Sequence, residues 1–363
     1  MKANRKVTLA AIAVTLVAAV AASAFAYKIS REKTIEEAFS RLMLFHGLRR
    51  ATVEDYMLSK ASDIRAMSRN DRVVDTLMAF QAAWAELGEG AAQTVRRLYI
   101  DDNPFRKGKK RVLRSAGDNS RYTAVHGEFH EWAQRFVGHF GYQDLYLIDR
   151  NGNVVYTVEK QDDLATNVAH GKYRNTPLGF VFRRSVRPGG RDVNLSDFES
   201  YAPSDETPAA FASGAVLGED GKIAGVFAVQ FPPEPINEML RSTGGMGKTG
   251  QTYIVGNDMM MRSQSRFAAY STILRTEVRT RSVTEGLKGF SGSGVIFDYR
   301  DVPVLSVYAP LDFGGPLWIL LAEIERSEAL RKFSLWPTLL AGLLAAIAAG
   351  AAAYLVGRMF FRN

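Results

Sequence analysis

Apolar residues gather in two unbroken runs near the ends of the chain and in short periodic stretches between them. Residues 7–27 and 335–356 contain no charged side chain. At about 1.5 Å per helical residue, each run reaches across the ~30 Å hydrocarbon core of a bilayer. Lys2, Arg5 and Lys6 precede the first run, and Arg358 and Arg362 follow the second. Positive residues stay on the cytoplasmic side, so 1–6 and the stub 357–363 are expected there and 28–332 on the far side. Ala24-Phe25-Ala26 also fits a signal-peptidase site. The run exceeds the about 7 to 15 residues of a signal core, which favours a retained helix, and both readings export the middle of the chain.

Beyond the first run no proline occurs before Pro104, and Ile35, Phe39, Leu42, Phe45, Leu48, Val53, Tyr56 and Met57 recur at three- to five-residue spacing. That stripe predicts a long amphipathic stalk helix over 28–72, interrupted at Asn70-Asp71. Shorter helices are predicted over 73–86, 91–99 and 122–137. From Gly141 the period changes to two, and 144–149, 154–158, 211–216 and 223–231 read as two hairpins. Arg150-Asn151-Gly152-Asn153 and Glu219-Asp220-Gly221-Lys222 supply their turns. The pattern repeats weakly at 250–257, 294–299, 302–310 and 317–324. The fold class is α+β: a long N-terminal helix carrying two antiparallel-sheet subdomains, 73–243 distal to the membrane and 244–332 proximal to it, between transmembrane helices at 7–27 and 335–356.

Charge and composition narrow the chemistry. The formal charge is +8, but all 38 acidic residues and all but five of the 46 basic ones lie between the two runs, so the middle is nearly balanced and nucleic acid is not implied. The basic loop Arg106-Lys107-Gly108-Lys109-Lys110-Arg111 has no interleaved aromatics and reads as solvated surface. With no cysteine, disulfides, thiolate metal sites and cysteine nucleophiles are all excluded. No nucleophile stands at credible spacing from a base, so an enzyme is not expected, and no cofactor is implied.

Two motifs invite stronger readings. Ser242-Thr-Gly-Gly-Met-Gly-Lys-Thr249 looks like a phosphate-binding loop, but such a loop needs a strand before it and a helix after it. Here a helix near 236–240 precedes and a strand follows, so an interdomain turn is expected. His126-Gly-Glu-Phe-His130 sets two imidazoles at i and i+4, a spacing open to zinc, though the metalloprotease pattern needs the Glu directly after the first His. A surface or capping role is expected for the pair, and polar surface for His46, His139 and His170.

Strand alternation supplies pocket candidates. Asp144, Tyr146 and Ile148 share a face, Phe227 alternates with Ala228 and Gln230, and Phe211 and Ser213 fall on a neighbouring strand. A polar group buried without a partner costs roughly 1 to 3 kcal/mol, which singles out those that a small polar ligand would satisfy. The candidate ligand-binding set is Asp144, Tyr146, Tyr156, Asp197, Tyr201, Phe211, Ser213, Phe227 and Gln230; no metal ligand or catalytic residue is named.

The order of elements, with the blocks Tyr99-Ile-Asp-Asp-Asn-Pro104, Gly141-Tyr-Gln-Asp-Leu-Tyr-Leu-Ile-Asp149, Asp197-Phe-Glu-Ser-Tyr201, Gly247-Lys-Thr-Gly250, Thr252-Tyr-Ile-Val-Gly-Asn-Asp258 and Met261-Arg262-Ser263, resembles the double Cache sensor domains of bacterial methyl-accepting chemotaxis proteins, sensor histidine kinases and membrane cyclases. The resemblance covers about 28–332. It implies two PAS-like sheets, a distal pocket for a small extracellular ligand, and a signal passed to the membrane helices of an inner-membrane receptor. The family's amino-acid binders carry a Tyr, an Arg-x-Trp-Tyr, a later Tyr and an Asp on the last distal strand. Tyr201 stands for the later Tyr, but no Arg-x-Trp-Tyr lies between Asp163 and Asp197, and Gln230 takes the place of the ammonium-binding Asp. Membrane lipid, a second copy of the chain and a cytoplasmic signalling partner acting in trans are the other expected partners. Seven residues after Val356 hold no output domain, so a truncated receptor and a membrane-anchored binding protein acting through a partner both fit.

Overall fold

The computed structural model describes residues 2–187, 192–242, 244–332 and 335–360, with side chains over 10–331 and 335–352 of these. Thr243 of the glycine-rich run and the last three residues of the stub lie outside the described residues. Lys2–Ser68 form one 67-residue helix, α1, so the apolar run and the amphipathic stripe make a single rod. It stops where Asn70 adopts extended backbone and its side chain accepts the Arg72 amide, capping α2 (Asp71–Glu86). α3 (Ala91–Arg96) runs into a π turn over Arg97–Asp101. Ser120 caps α4 (Arg121–Phe140), and Gly141 at φ 70° ends it and turns the chain into the first sheet.

That distal sheet contains β1 (Asp144–Asp149), β2 (Val154–Thr157), β3 (Asn194–Leu195), β4 (Glu199–Tyr201), β5 (Thr207–Leu217) and β6 (Ile223–Phe231), with α5 (Pro177–Ser185) between β2 and β3. Its order is β2-β1-β6-β5-β3, and β4 pairs with the start of β5. That pairing lengthens β5 by four residues at its start relative to the alternation, which first becomes apolar at Phe211. α6 (Glu234–Arg241) leads to the proximal sheet: β7 (Gln251–Gly256), then α7 (Arg281–Leu287), β8 (Gly292–Phe297), β9 (Pro303–Pro310) and β10 (Trp318–Glu325), in order β7-β10-β9-β8. α8 (Arg326–Ala329) joins β10 to the apolar α9 (Trp336–Phe360).

α1 backs both sheets. Its upper part, with α2 and α4, covers the distal face carrying Leu145, Leu147, Phe227 and Val229. Lower down, Ala38 and Leu42 meet Leu305, Val307 and Ala322 of the proximal sheet. The buried line departs from the predicted stripe at one point. Leu48 is 57% exposed, while His46, expected at the surface, is buried with Nε2 3.1 Å from the Leu320 carbonyl. The inward face has turned onto His46 where α1 passes from one sheet to the other. The opposite faces are covered by α5 and the 158–176 loop on the distal sheet, and by α7 on the proximal one.

By length and composition, one described helix, α1, is suited to crossing a membrane. The part of α9 whose side chains are described, Trp336–Ala352, is apolar and shorter. α9 packs along the N-terminal part of α1, so closely that a Cβ on Gly342 would lie 2.2 Å from Ser23 Oγ.

Candidate functional site

On the α5 side of the distal sheet, strand alternation aims Tyr146 from β1, Gln230 from β6 and Phe211 from β5 into one fully buried cluster, the distal chamber, and Tyr201 from β4 enters from the side. Gln230 lies opposite both Asp144 and Phe211 in register, so the chamber sits where the three strands meet. The Tyr201 ring packs edge-on to Phe211 at 4.9 Å, and Tyr146 lies 5.8 Å from the same ring.

The polar groups of the chamber bond one another. Tyr146 donates to Gln230 Oε1 at 3.0 Å, and Gln230 Nε2 donates to Ser204 Oγ at 3.0 Å and Gln143 Oε1 at 3.1 Å. Ser204 passes its hydrogen to Gln161 Oε1 at 2.8 Å, and Tyr201 donates to Asp163 Oδ2 at 2.7 Å. Asp163 Oδ1 is buried with no partner among the described residues. Burial pushes the Asp163 carboxyl up to about 6, opposed by the Tyr201 and Tyr146 hydroxyls. The chamber is therefore a packed group of aromatic and polar side chains in which one acidic oxygen is left without a partner among the described residues.

Asp163, Gln161, Ser204 and Gln143 have no distinguishing pattern in the sequence. Gln143, Gln161 and Asp163 precede or follow strands, and Ser204 sits in a 3-10 turn, where alternation assigns no face. The other candidates fall elsewhere. Asp144 borders the chamber, but its carboxylate accepts from Thr157 Oγ1 at 2.8 Å and from the Val158 and Glu159 amides at 2.8 and 3.1 Å. Burial, then the charges of Asp163 and Glu159, push it up to about 8 against those bonds. Ser213 donates to the Val181 carbonyl at 3.1 Å and meets Ser185 Oγ at 2.9 Å, fastening α5 to the sheet.

Tyr156 and Phe227 lie on the opposite, helix-covered face. A β-bulge between Leu147 and Ile148 shifts the β1–β2 register and puts Tyr156 against α4. There its hydroxyl is 2.7 Å from His130 Nδ1. His126 and His130, expected at the surface or as caps, are both buried, and burial drives His130 down to about 3 and His126 well below the usual range. Among the described residues no group of three or more His, Cys, Asp or Glu is placed to hold a metal ion.

Asp197 belongs to the joint between the sheets. Its two oxygens accept from Arg262 Nε and Nη2 at 2.8 Å each, and Oδ1 also accepts from Trp318 Nε1 at 2.7 Å. Phe198 stacks on Trp318 with 10° between rings. This clamp ties β4's approach to β10, beside a polar groove of about 510 Å³ that includes Arg184, Glu199 and Asp258.

The chain is similar to solved extracytoplasmic sensor domains. One is the ligand-binding domain of Campylobacter jejuni chemoreceptor Tlp3 in complex with 4-methylisoleucine: 11% identity, 84% of this chain and 96% of that chain covered, TM-score 0.46. The same receptor's ligand-binding domain in complex with L-valine gives 12%, 85%, 98% and 0.46, and a methyl-accepting chemotaxis protein X gives 11%, 80%, 97% and 0.47. No family model and no curated protein matches the chain.

Proposed function

We propose that the chain is the extracytoplasmic small-molecule sensing region of a bacterial inner-membrane receptor. It crosses the membrane at 7–27 and 335–356, with the distal subdomain 73–243 and the proximal subdomain 244–332 outside. The observation that carries this reading is the distal chamber: two tyrosines, a glutamine and an aromatic floor around the unpartnered oxygen of Asp163. Tyr146, Tyr201, Phe211 and Gln230 of the candidate set, with Asp163, are the residues assigned to the ligand. A small polar molecule with a hydrogen-bond donor for Asp163 exchanges the internal bonds for its own.

A homodimer is part of the proposal. Leu44, Leu48 and Leu58 are exposed on α1 at spacings of four and ten, and with Ala51 they fall on a heptad seam. On α9, Gly350 has nothing within 4 Å of a built Cβ, whereas Gly342 is used against α1, so close packing remains available on the free face. A ligand moves the receptor only if it binds one helix arrangement better than the other.

The test is a thermal-shift screen of the full chain in neutral detergent against amino acids, amines and small carboxylates, since a ligand of the folded state raises the melting temperature. Tyr201→Phe and Gln230→Ala are expected to abolish the shift of any hit, and Lys248→Ala to keep it. A hit whose shift survives both chamber variants would place binding elsewhere.

A further inference from the structure

The glycine-rich run that looks like a phosphate-binding loop does converge on an anion. That anion is the chain's own Glu328, in α8 between the proximal sheet and α9. Glu328 Oε1 accepts the Lys248 amide at 2.9 Å, and Oε2 accepts the Thr249 amide at 2.6 Å and the Thr249 hydroxyl at 2.5 Å. Thr249 Oγ1 in turn accepts the Glu325 amide at 3.2 Å. Gly247, at φ 75°, comes so near that a Cβ there would lie 2.6 Å from Glu328 Oε1. Against the cost of desolvation, the Thr249 hydroxyl and the two amides hold the Glu328 carboxyl below the usual range. Successive amides that converge in this way form an anion-binding concavity without a helix terminus.

Beside the loop opens a cavity of about 290 Å³, lined by Arg41, Phe45, Gly245, Met246, Glu328 and Arg331 among others. Arg41 and Arg331 are both exposed. We propose that this loop and cavity form a site for a small oxyanion of the phosphate class, and that Glu328 is its tethered occupant, displaced when an external oxyanion binds. A tetrahedral oxyanion offers the loop the same acceptor atoms as the carboxylate, and its remaining oxygens face a space bordered by two guanidinium groups, which suit phosphate. Displacement releases α8 from the loop, and α8, with the 3-10 turn Leu330–Lys332 that follows it, lies between β10 and the short segment before α9. That consequence for signalling rests on the sensor reading; the anion binding does not.

The experiment follows melting of the full chain in neutral detergent, in sodium phosphate against sodium chloride of equal ionic strength. Glu328→Ala empties the loop. Phosphate is expected to raise its melting temperature with half-effect at a roughly tenfold lower concentration than in the parent, because a tethered competitor acts at millimolar effective concentration. Combining Glu328→Ala with Thr249→Val removes a donor and is expected to lose most of the shift, whereas Glu328→Ala with Lys248→Ala retains the amide and is expected to keep it. Should Glu328→Ala not fold, Glu328→Gln replaces the carboxylate with a weaker neutral occupant and is expected to shift in the same direction. No phosphate effect beyond chloride in either variant overturns the proposal, and so does an effect that survives Thr249→Val. Nanodiscs separate the sources: a response equal in phosphatidylglycerol and phosphatidylcholine assigns the site to a free anion. One already saturated in phosphatidylglycerol assigns it to a lipid phosphate.

Discussion

Each sheet leaves one buried acidic oxygen without a partner among the described residues, and the two acids are delivered by different kinds of element. In the distal sheet that acid is Asp163, delivered by a covering loop and bonded by Tyr201, while the strand acid Asp144 is satisfied by Thr157 and the Val158 and Glu159 amides. In the proximal sheet it is Glu323, on the last strand itself, in register with Gln251 of β7 and Ser306 of β9. Tyr253 donates to Glu323 Oε2 at 2.9 Å, while Glu323 Oε1 and Gln251 Nε2 are buried without a partner among the described residues. Burial raises Glu323 to about 7, opposed chiefly by the Tyr253 and Ser306 hydroxyls, with Asp298 raising it further and Arg300 lowering it. Whatever engages Asp163 acts first on a loop. Whatever engages Glu323 acts directly on the strand that ends at α8. Under the proposed function, reception falls to the distal sheet and relay to the proximal one.

The largest expected effect breaks the joint between them. Asp197→Ala leaves Arg262, only 3% exposed, without its main counter-charge. Removing one partner of such a pair costs about 3–5 kcal/mol, to be read from denaturant unfolding of the full chain. If Asp197→Ala unfolds at the parent midpoint, the clamp does not hold the sheets together.

Next come the two acids. A carboxyl raised in the folded state costs stability as pH climbs from its unfolded value to its folded one. For Glu323 that window runs from 4.5 to about 7. Glu323→Gln is therefore expected to gain about 3 kcal/mol over the parent above pH 7, with the gain shrinking as pH falls toward 4.5. For Asp163 the window is 3.8 to about 6, so the advantage of Asp163→Asn should saturate at a lower pH. Melting curves across pH 4 to 8.5 measure both, and coincident profiles would erase the distinction between the sheets. The variants should also divide by function: Asp163→Asn loses a ligand's thermal shift, and Glu323→Gln keeps it.

The smallest effect on the fold belongs to the exposed seam of α1. Leu44→Glu with Leu48→Glu should leave melting within about 0.5 kcal/mol of the parent, as surface changes do. Analytical ultracentrifugation in detergent is expected to show loss of the dimer. A dimer that persists would move the contact to another face.

The elements legible in the sequence were those written in local chemistry: the interruption at Asn70-Asp71, the change of period at Gly141 and the hairpin turns. Alternation set the faces within each strand, and it is the pairing of β1, β6 and β5 that brings Tyr146, Gln230 and Phe211 together. The remainder depended on tertiary placement. A bulge at Leu147 sent Tyr156 to the opposite face, Asp197 was claimed by Arg262 from the other subdomain, and Asp163 reached the chamber from a loop with no period to read. The glycine-rich run illustrates the same limit. Its amides had an anion to hold, but the carboxylate came from 79 residues downstream of Thr249.

The central claim, that binding in the distal chamber moves the exit helix, has one direct measurement. The chain contains no cysteine, so single cysteines placed along α9 from Leu339 to Ala352 report cross-linking between copies without background. With a ligand from the screen at saturation, cross-linking is expected to be helically periodic and to change in rate at particular positions, with the change absent in Asp163→Asn. A periodic pattern wholly insensitive to saturating ligand would contradict the account and leave α9 as a passive anchor.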